Sequence, residues 1–446
     1  MRCILNLLYI IVSLLYSPVI IYRAIKHKRY RDGWDHRFGK ITRGNPEKKC
    51  IWIHAVSVGE VNAARTVIDE LKNKFADFDI LISTTTDTGQ ARAKKLFSSE
   101  HTIIYFPFDF SWVMSRAFKN INPAICLLME LEVWPNFVDI ASRLNVPVVI
   151  VNGRISDKSI SRYRKIKLLV KGVFGKISLA LAQTQEYAER FKEIGVPENN
   201  VVVTGSLKYD TAEITDKVEG SDILAEQLQL STQDSKLKTK IWVAGATGPE
   251  EEQIIIDVFK ELHKQRKFSD LKLVVVPRKP ERFDEVAQLI TNSGFECLRY
   301  SSIKEEYRTQ NTEYRTPYTV RSTKVILGDT MGDLRKFYSL STIIFVGRSL
   351  VPMGGSDMME AAALGKCTIF GPHAFNFKQT VDALLENEGA ILVNDENELL
   401  ETMKKCLDEP EYAQKIAQNG QKVIKNNQGA TLKTIEQIEK FIKSPR

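Results

Sequence analysis

Short apolar runs recur along this chain, separated by segments in which apolar residues return with a helical period near 3.6. In the first half the runs cover 51–56, 78–83, 102–106, 124–128, 146–151, 179–183 and 201–204. In the second half they cover 241–244, 271–276, 324–327, 342–346, 367–370 and 390–393. Strand and helix in alternation predict a parallel sheet with helices on both faces. The pattern breaks once, over a polar segment at 213–240 without strand signal, which reads as a linker between two doubly wound domains. The chain then divides into 1–22, 23–212, 213–240 and 241–446, with the closing helical segment, Glu396 to Lys443, expected to let its last helix cross back onto the first domain. The Tyr-spaced stretch from Arg299 to Arg321 reads as an exposed excursion.

The first segment differs in kind. Cys3 to Tyr22 carries no charged residue, and a helix of that length reaches across a ~30 Å hydrocarbon layer. It predicts a membrane anchor, with a cleaved signal peptide as the rival, although Ser17-Pro18-Val19 offers no small-x-small cleavage site. Arg23, Lys26, His27, Lys28, Arg29 and Arg31 follow it against one Arg before it, so the positive-inside rule leaves the body on the cytoplasmic side. Arg162, Arg164, Lys165, Lys167, Lys171 and Lys176, interleaved with Ile166, Leu168, Leu169 and Val170, suit either a helix at an anionic lipid surface or a solvated face.

One stretch concentrates candidate chemistry. From Thr342 to Phe377 a β-branched run leads into a loop with Gly347, Pro352, Gly354 and Gly355, then a helix over Met358 to Leu364, a second apolar run, and Gly371-Pro372-His373. Strand, glycine-rich loop and helix form a unit in which backbone N–H groups can meet an anion. Glu360, in the first turn, can meet ribose hydroxyls. The plainer alternative is a tight loop whose glycines serve turning and packing only.

Length and composition narrow the class. At 446 residues the chain exceeds one ordinary core. Its 43% hydrophobic and 26% charged residues are those of a folded protein. Six cysteines without a CxxC pair fit neither a zinc site nor a disulfide framework. The net charge of +8 suits a membrane surface or a phosphorylated substrate, since no motif for nucleic-acid reading accompanies it. No HExxH or Asp-x-Asp at a strand end argues for a divalent ion.

Polar and glycine motifs follow the predicted strands on one rim of each domain, where open α/β sheets bind ligands. SVGE at Ser57–Glu60, ELEVWPN at Glu130–Asn136, NGR at Asn152–Arg154 and SLKYD at Ser206–Asp210 belong to the first half. Gly245-Ala246-Thr247, PRKPERF at Pro277–Phe283, GDTMGDL at Gly328–Leu334, GGSDMME at Gly354–Glu360 and FGPHAFNF at Phe370–Phe377 belong to the second. His54 and His373, near these loops, read as packing residues.

Most of these motifs, in this order and over nearly the whole length, resemble the 3-deoxy-D-manno-octulosonic acid (Kdo) transferases. The resemblance implies a GT-B glycosyltransferase, with two Rossmann-like domains facing a central cleft and an N-terminal membrane-anchor helix. It implies transfer of Kdo from CMP-Kdo to the lipid A precursor lipid IVA at the cytoplasmic side of the inner membrane, with inversion and with neither metal nor cofactor. By the same resemblance Glu60 is the general base, Glu130 and Lys208 support the transition state, and the CMP site draws on Pro277, Arg278, Met331, Gly332, Asp333, Asp357, Met358, Met359 and Glu360. Read without the family, Glu60 is an ordinary first-turn acid favoured by the helix dipole, and Lys208 and Arg278 are surface cations. Ser356-Asp357 stands where the family usually has His-Asn, and Ala246-Thr247-Gly248 and Gly153 also depart. A related transferase using another nucleotide sugar, or a membrane-bound scaffold with a decayed site, therefore stays open as an alternative.

Overall fold

The computed structural model describes residues 2–26, 32–230, 240–309 and 323–443. Two compact units divide the chain, Met1–Thr211 with Asn427–Arg446, and Ala212–Asn426.

The first unit holds a seven-stranded parallel sheet in the order β3-β2-β1-β4-β5-β6-β7. Its strands are β1 (Lys49–His54), β2 (Phe78–Thr84), β3 (Thr102–Tyr105), β4 (Pro123–Met129), β5 (Val148–Gly153), β6 (Leu179–Ala182) and β7 (Val201–Val203). Its central strands read as unbroken apolar runs because both faces are covered. Alternate residues of β1 serve opposite layers: Cys50 and Trp52 pack with Phe118 and Phe137, Ile51 and Ile53 with Val67, Leu71 and Ile435. Ile435 lies on the C-terminal helix, Ala430–Ile442, which joins the first unit. Asp210 of the SLKYD motif fastens that helix by accepting the Gly429 amide at 2.7 Å and the Thr431 amide at 2.5 Å.

The second unit repeats the architecture in the order β10-β11-β9-β8-β12-β13-β14. Its strands are β8 (Ile241–Thr247), β9 (Lys272–Pro277), β10 (Cys297–Arg299), β11 (Val325–Leu327), β12 (Ile343–Val346), β13 (Cys367–Phe370) and β14 (Ile391–Leu392). The direction of strand order reverses between β1 and β4 in one unit and between β8 and β12 in the other. Such switch points leave a crevice at the carboxyl edge.

Two expectations need correction. The polar segment read as a linker contains the helix Ser221–Gln227, whose Leu224 is buried together with the following Leu228. Arg299, read as the start of an excursion, ends β10, and the helix Tyr300–Thr309 follows with Tyr300 and Ile303 buried. One hydrogen bond ties the two segments, Tyr300 Oη to Gln227 Oε1 at 2.9 Å. Local polarity misled here because a single apolar stripe suffices for a short helix to pack on a sheet already built. The remainder of each segment, 231–239 and 310–322, lies outside the described residues, as do the basic positions from His27 to Arg31.

The N-terminal apolar run forms one helix, Arg2–Lys26, with Pro18 inside it. Among the described residues no helix is long and apolar enough to cross a membrane. Within the first unit this helix is held through Asn6 and Tyr9, while Leu7, Leu8, Val12, Leu14 and Leu15 stay exposed.

Candidate active site

In the first unit the site begins where β1 ends. Ser57 caps the helix Val58–Lys74 by accepting the Glu60 amide at 3.4 Å. Glu60 returns its carboxylate to the cap, accepting the Val56 amide on Oε2 at 2.9 Å and the Ser57 hydroxyl on Oε1 at 3.0 Å. This is a variant of the capping box in which the carboxylate takes the amide one residue before the cap, so the plain reading of Glu60 as a helix-start acid holds. It does not exhaust the residue. With 9% exposure, burial lifts its carboxyl to about 7, opposed by the Val56 amide and assisted by the negative charges of Glu130 and Glu132. A carboxylate poised there is matched to proton abstraction near neutrality.

Glu130 follows β4, on the other side of the switch point. Its backbone is left-handed, φ 53°, and its amide donates to Val151 O at 2.9 Å. A non-glycine residue in that region is held against its preference. Glu132, two residues on, is half-buried, and burial raises its carboxyl too. Three acids thus share one rim. At the end of β5, Asn152 accepts the Leu207 amide on Oδ1 at 3.1 Å, while its buried Nδ2 has no hydrogen-bond partner among the described residues. That bond places the short helix Leu207–Asp210, on which Lys208 is half-buried and which packs against the Glu60 helix. His54 is fully buried, stacked on Phe106 and bonded through Nδ1 to Ser83, a packing residue.

In the second unit the glycine-rich loop is organised by a residue that sequence reasoning missed. Glu251, fully buried, accepts the Ser349 and Leu350 amides on Oε1 at 2.9 Å each, and the Arg348 amide on Oε2 at 2.5 Å. The expectation that this part of the loop offers amides to a ligand anion is therefore corrected. Its anion is an internal carboxylate 97 residues upstream of Arg348 in sequence. Gly354 and Gly355 turn the chain at φ 89° and 81°. Ser356 Oγ then donates to Ala246 O at 3.1 Å, pinning the loop to the end of β8. The helix begins later than expected, Met359–Ala363. Asp357 accepts the Met359 amide at 2.9 Å, two residues ahead, in an Asx turn rather than at the N-cap. Met358 and Met359 point into the core. Glu360 is open to solvent, yet surrounding protein and the charge of Asp357 raise its carboxyl.

The remaining predicted positions divide. Pro277 ends β9, and Arg278 donates its amide to Thr247 O at 3.1 Å while its side chain is exposed. In the same motif, Arg282 is committed to Glu252 and Glu285 at 2.7 Å each. Met331 is 69% exposed after β11. Gly332 takes φ 92°. Asp333 is buried, its carboxylate clasped by Lys304 at 2.6 Å and Lys336 at 2.9 Å, which leaves it a loop-holding role. The helix it opens, Leu334–Leu340, carries Arg335 and Tyr338 toward Glu360, whose titration responds to Arg335; burial first, and then the charge of Glu360, raises the Tyr338 phenol. No group of three or more His, Cys, Asp or Glu among the described residues is arranged to hold a metal ion.

Two doubly wound units with polar residues at each switch point define a GT-B-like glycosyltransferase fold. Solved structures agree. A glycosyltransferase from Rickettsia africae is 16% identical, with 90% of this chain and 100% of that one covered at a TM-score of 0.55. A UDP-GlcNAc 2-epimerase from Neisseria meningitidis is 14% identical over 88% and 100%, at 0.54. Sequence narrows this further. The family described as 3-Deoxy-D-manno-octulosonic-acid transferase (kdotransferase) matches residues 32–211. The 3-deoxy-D-manno-octulosonic acid transferase of Haemophilus influenzae is 32% identical, over 94% of this chain and 93% of its own. That of Bordetella pertussis is 28% identical over 91% of each. The chain belongs to the Kdo transferase family and is a glycosyltransferase.

Proposed function

We propose that this enzyme moves Kdo from CMP-Kdo onto lipid IVA, the lipid A precursor, inverting the anomeric centre without a metal, at the cytoplasmic face of the inner membrane. The observation that carries the chemistry is Glu60, a nearly buried carboxylate at the β1–β4 switch point with its titration near 7. A sugar hydroxyl is a weak nucleophile and needs a base as the new bond forms. Glu60 takes that proton, and the negative rim shared with Glu130 and Glu132 keeps its basicity high. CMP departs as a monophosphate, a charge suited to the exposed Arg278 of the second unit, while Lys208, on the helix packed against that of Glu60, is assigned to transition-state support. Asp357 and Glu360, acceptors without a charge to lend a phosphate, are assigned to the ribose hydroxyls.

The membrane part of the reading is supported by exposed apolar side chains beside cations. Leu168 is 92% and Leu169 64% exposed among Arg162, Arg164, Lys165, Lys167 and Lys171. With the exposed face of the N-terminal helix they suit an anionic lipid surface. The test is incubation with CMP-Kdo and lipid IVA, followed by mass spectrometry. A gain of one or more Kdo units is expected. Folded protein giving no gain, or gaining mass only from another nucleotide sugar, removes the reading.

A further inference from the structure

The N-terminal helix does more than lie on the first unit. Tyr9 Oη donates to Asp109 Oδ2 at 3.0 Å. The same carboxylate, 7% exposed, accepts the Asn136 amide at 3.0 Å and the Phe137 amide at 2.8 Å. Asn6 closes the ring. Its Oδ1 accepts the Ser111 amide at 3.1 Å and Asn136 Nδ2 at 3.2 Å, and its Nδ2 donates to Ser111 Oγ at 2.7 Å. Asn136 Nδ2 also donates to the Asp109 carbonyl. Asn136 and Phe137 open the helix Pro135–Arg143, which begins after the short turn that carries Glu130 and Glu132 out of β4. The turn is thus fixed at one end by the sheet and at the other by a network that includes two side chains of the N-terminal helix. It needs fixing, because Glu130 sits in left-handed backbone at φ 53°.

We infer that Asn6 and Tyr9 are positioning residues for the Glu130 turn, so that seating of the N-terminal helix and the geometry of the acid rim are one coupled state. Bound to lipid by its exposed face, the helix aligns the Glu130–Asn136 turn through its polar face. Release of the polar face leaves Asp109 and Asn136 with fewer partners and frees the turn to relax. This rests on the proposed transfer only for its kinetic arm.

The experiment compares full-length wild type, Tyr9→Phe and the Asn6→Ala/Tyr9→Phe double variant in detergent micelles, where anchoring to a bilayer plays no part. Tyr9→Phe keeps the ring packed edge-on against Phe110, which guards against simple unfolding. Amide hydrogen exchange at Asn136 and Phe137, read without substrate, should quicken severalfold in the double variant. Unchanged exchange overturns the inference whatever the donor proves to be. With CMP-Kdo, kcat should fall roughly tenfold while KM for the donor stays within about twofold. A control, Leu15→Ala on the exposed face, should weaken binding to anionic vesicles and leave micellar kcat unchanged. If the double variant also loses only vesicle binding, with micellar kcat intact, the helix is an anchor alone and the inference fails.

Discussion

The carboxylate of Glu251 accepts the Ser349 amide at 2.9 Å, so the glycine-rich loop after β12 folds around an anion supplied from after β8. Both residues are fully buried. A buried carboxylate with three amide donors is costly to remove, because every donor is then left unpaired. Glu251→Ala should lower stability by roughly 2–4 kcal/mol and weaken CMP binding about tenfold or more. Calorimetry with CMP and thermal unfolding decide it. Unaltered CMP affinity would show that the loop holds its shape without the clamp.

Glu60→Gln keeps the shape and most of the capping geometry but cannot take a proton. Turnover should fall about 100-fold or more with CMP affinity retained. In wild type, kcat should climb with pH and level off above about 7, as the carboxyl ionises. A flat profile from pH 5.5 to 8 would remove Glu60 as base.

The same shift predicts a stability effect of definite sign. A carboxyl raised in the folded state binds its proton more tightly there than when unfolded. Its favourable contribution is present below the unfolded value near 4.5 and is lost as pH rises through about 7. Glu60→Gln should therefore stabilise the protein at pH 8, by about 1–3 kcal/mol, and much less at pH 4.5. Equal melting of the two proteins at pH 8 would contradict the burial argument.

Lys208 and Arg278 should separate kinetically. Lys208→Ala, at the rim of the base, is expected to reduce kcat, whereas Arg278→Ala should mainly raise KM for the donor, each by roughly tenfold or more. If Lys208→Ala changes KM alone, it binds substrate without helping the transition state.

Leu168→Glu with Leu169→Glu replaces two exposed apolar side chains in a basic segment. Partition onto anionic vesicles should drop severalfold while micellar turnover persists. Undiminished vesicle binding would place the lipid contact elsewhere.

What the sequence by itself determined is everything written in local period and type. Alternating runs marked the two parallel sheets, because a strand covered on both faces must be apolar throughout, as Cys50 to Ile53 are. SVGE marked Glu60 as a first-turn acid, because the helix dipole favours a negative charge at that end. What only tertiary structure decided is partnership over distance. The acidity of Glu60 depends on burial and on Glu130 and Glu132, some seventy positions away. The amides of the glycine-rich loop looked free until Glu251 was found among them. Asp333 carries a ligand-site motif, yet two lysines consume its charge. The segments taken for linker and excursion meet through Gln227 and Tyr300. Hydrogen bonds and desolvation act between groups that the fold brings together, and no local pattern encodes which groups those are.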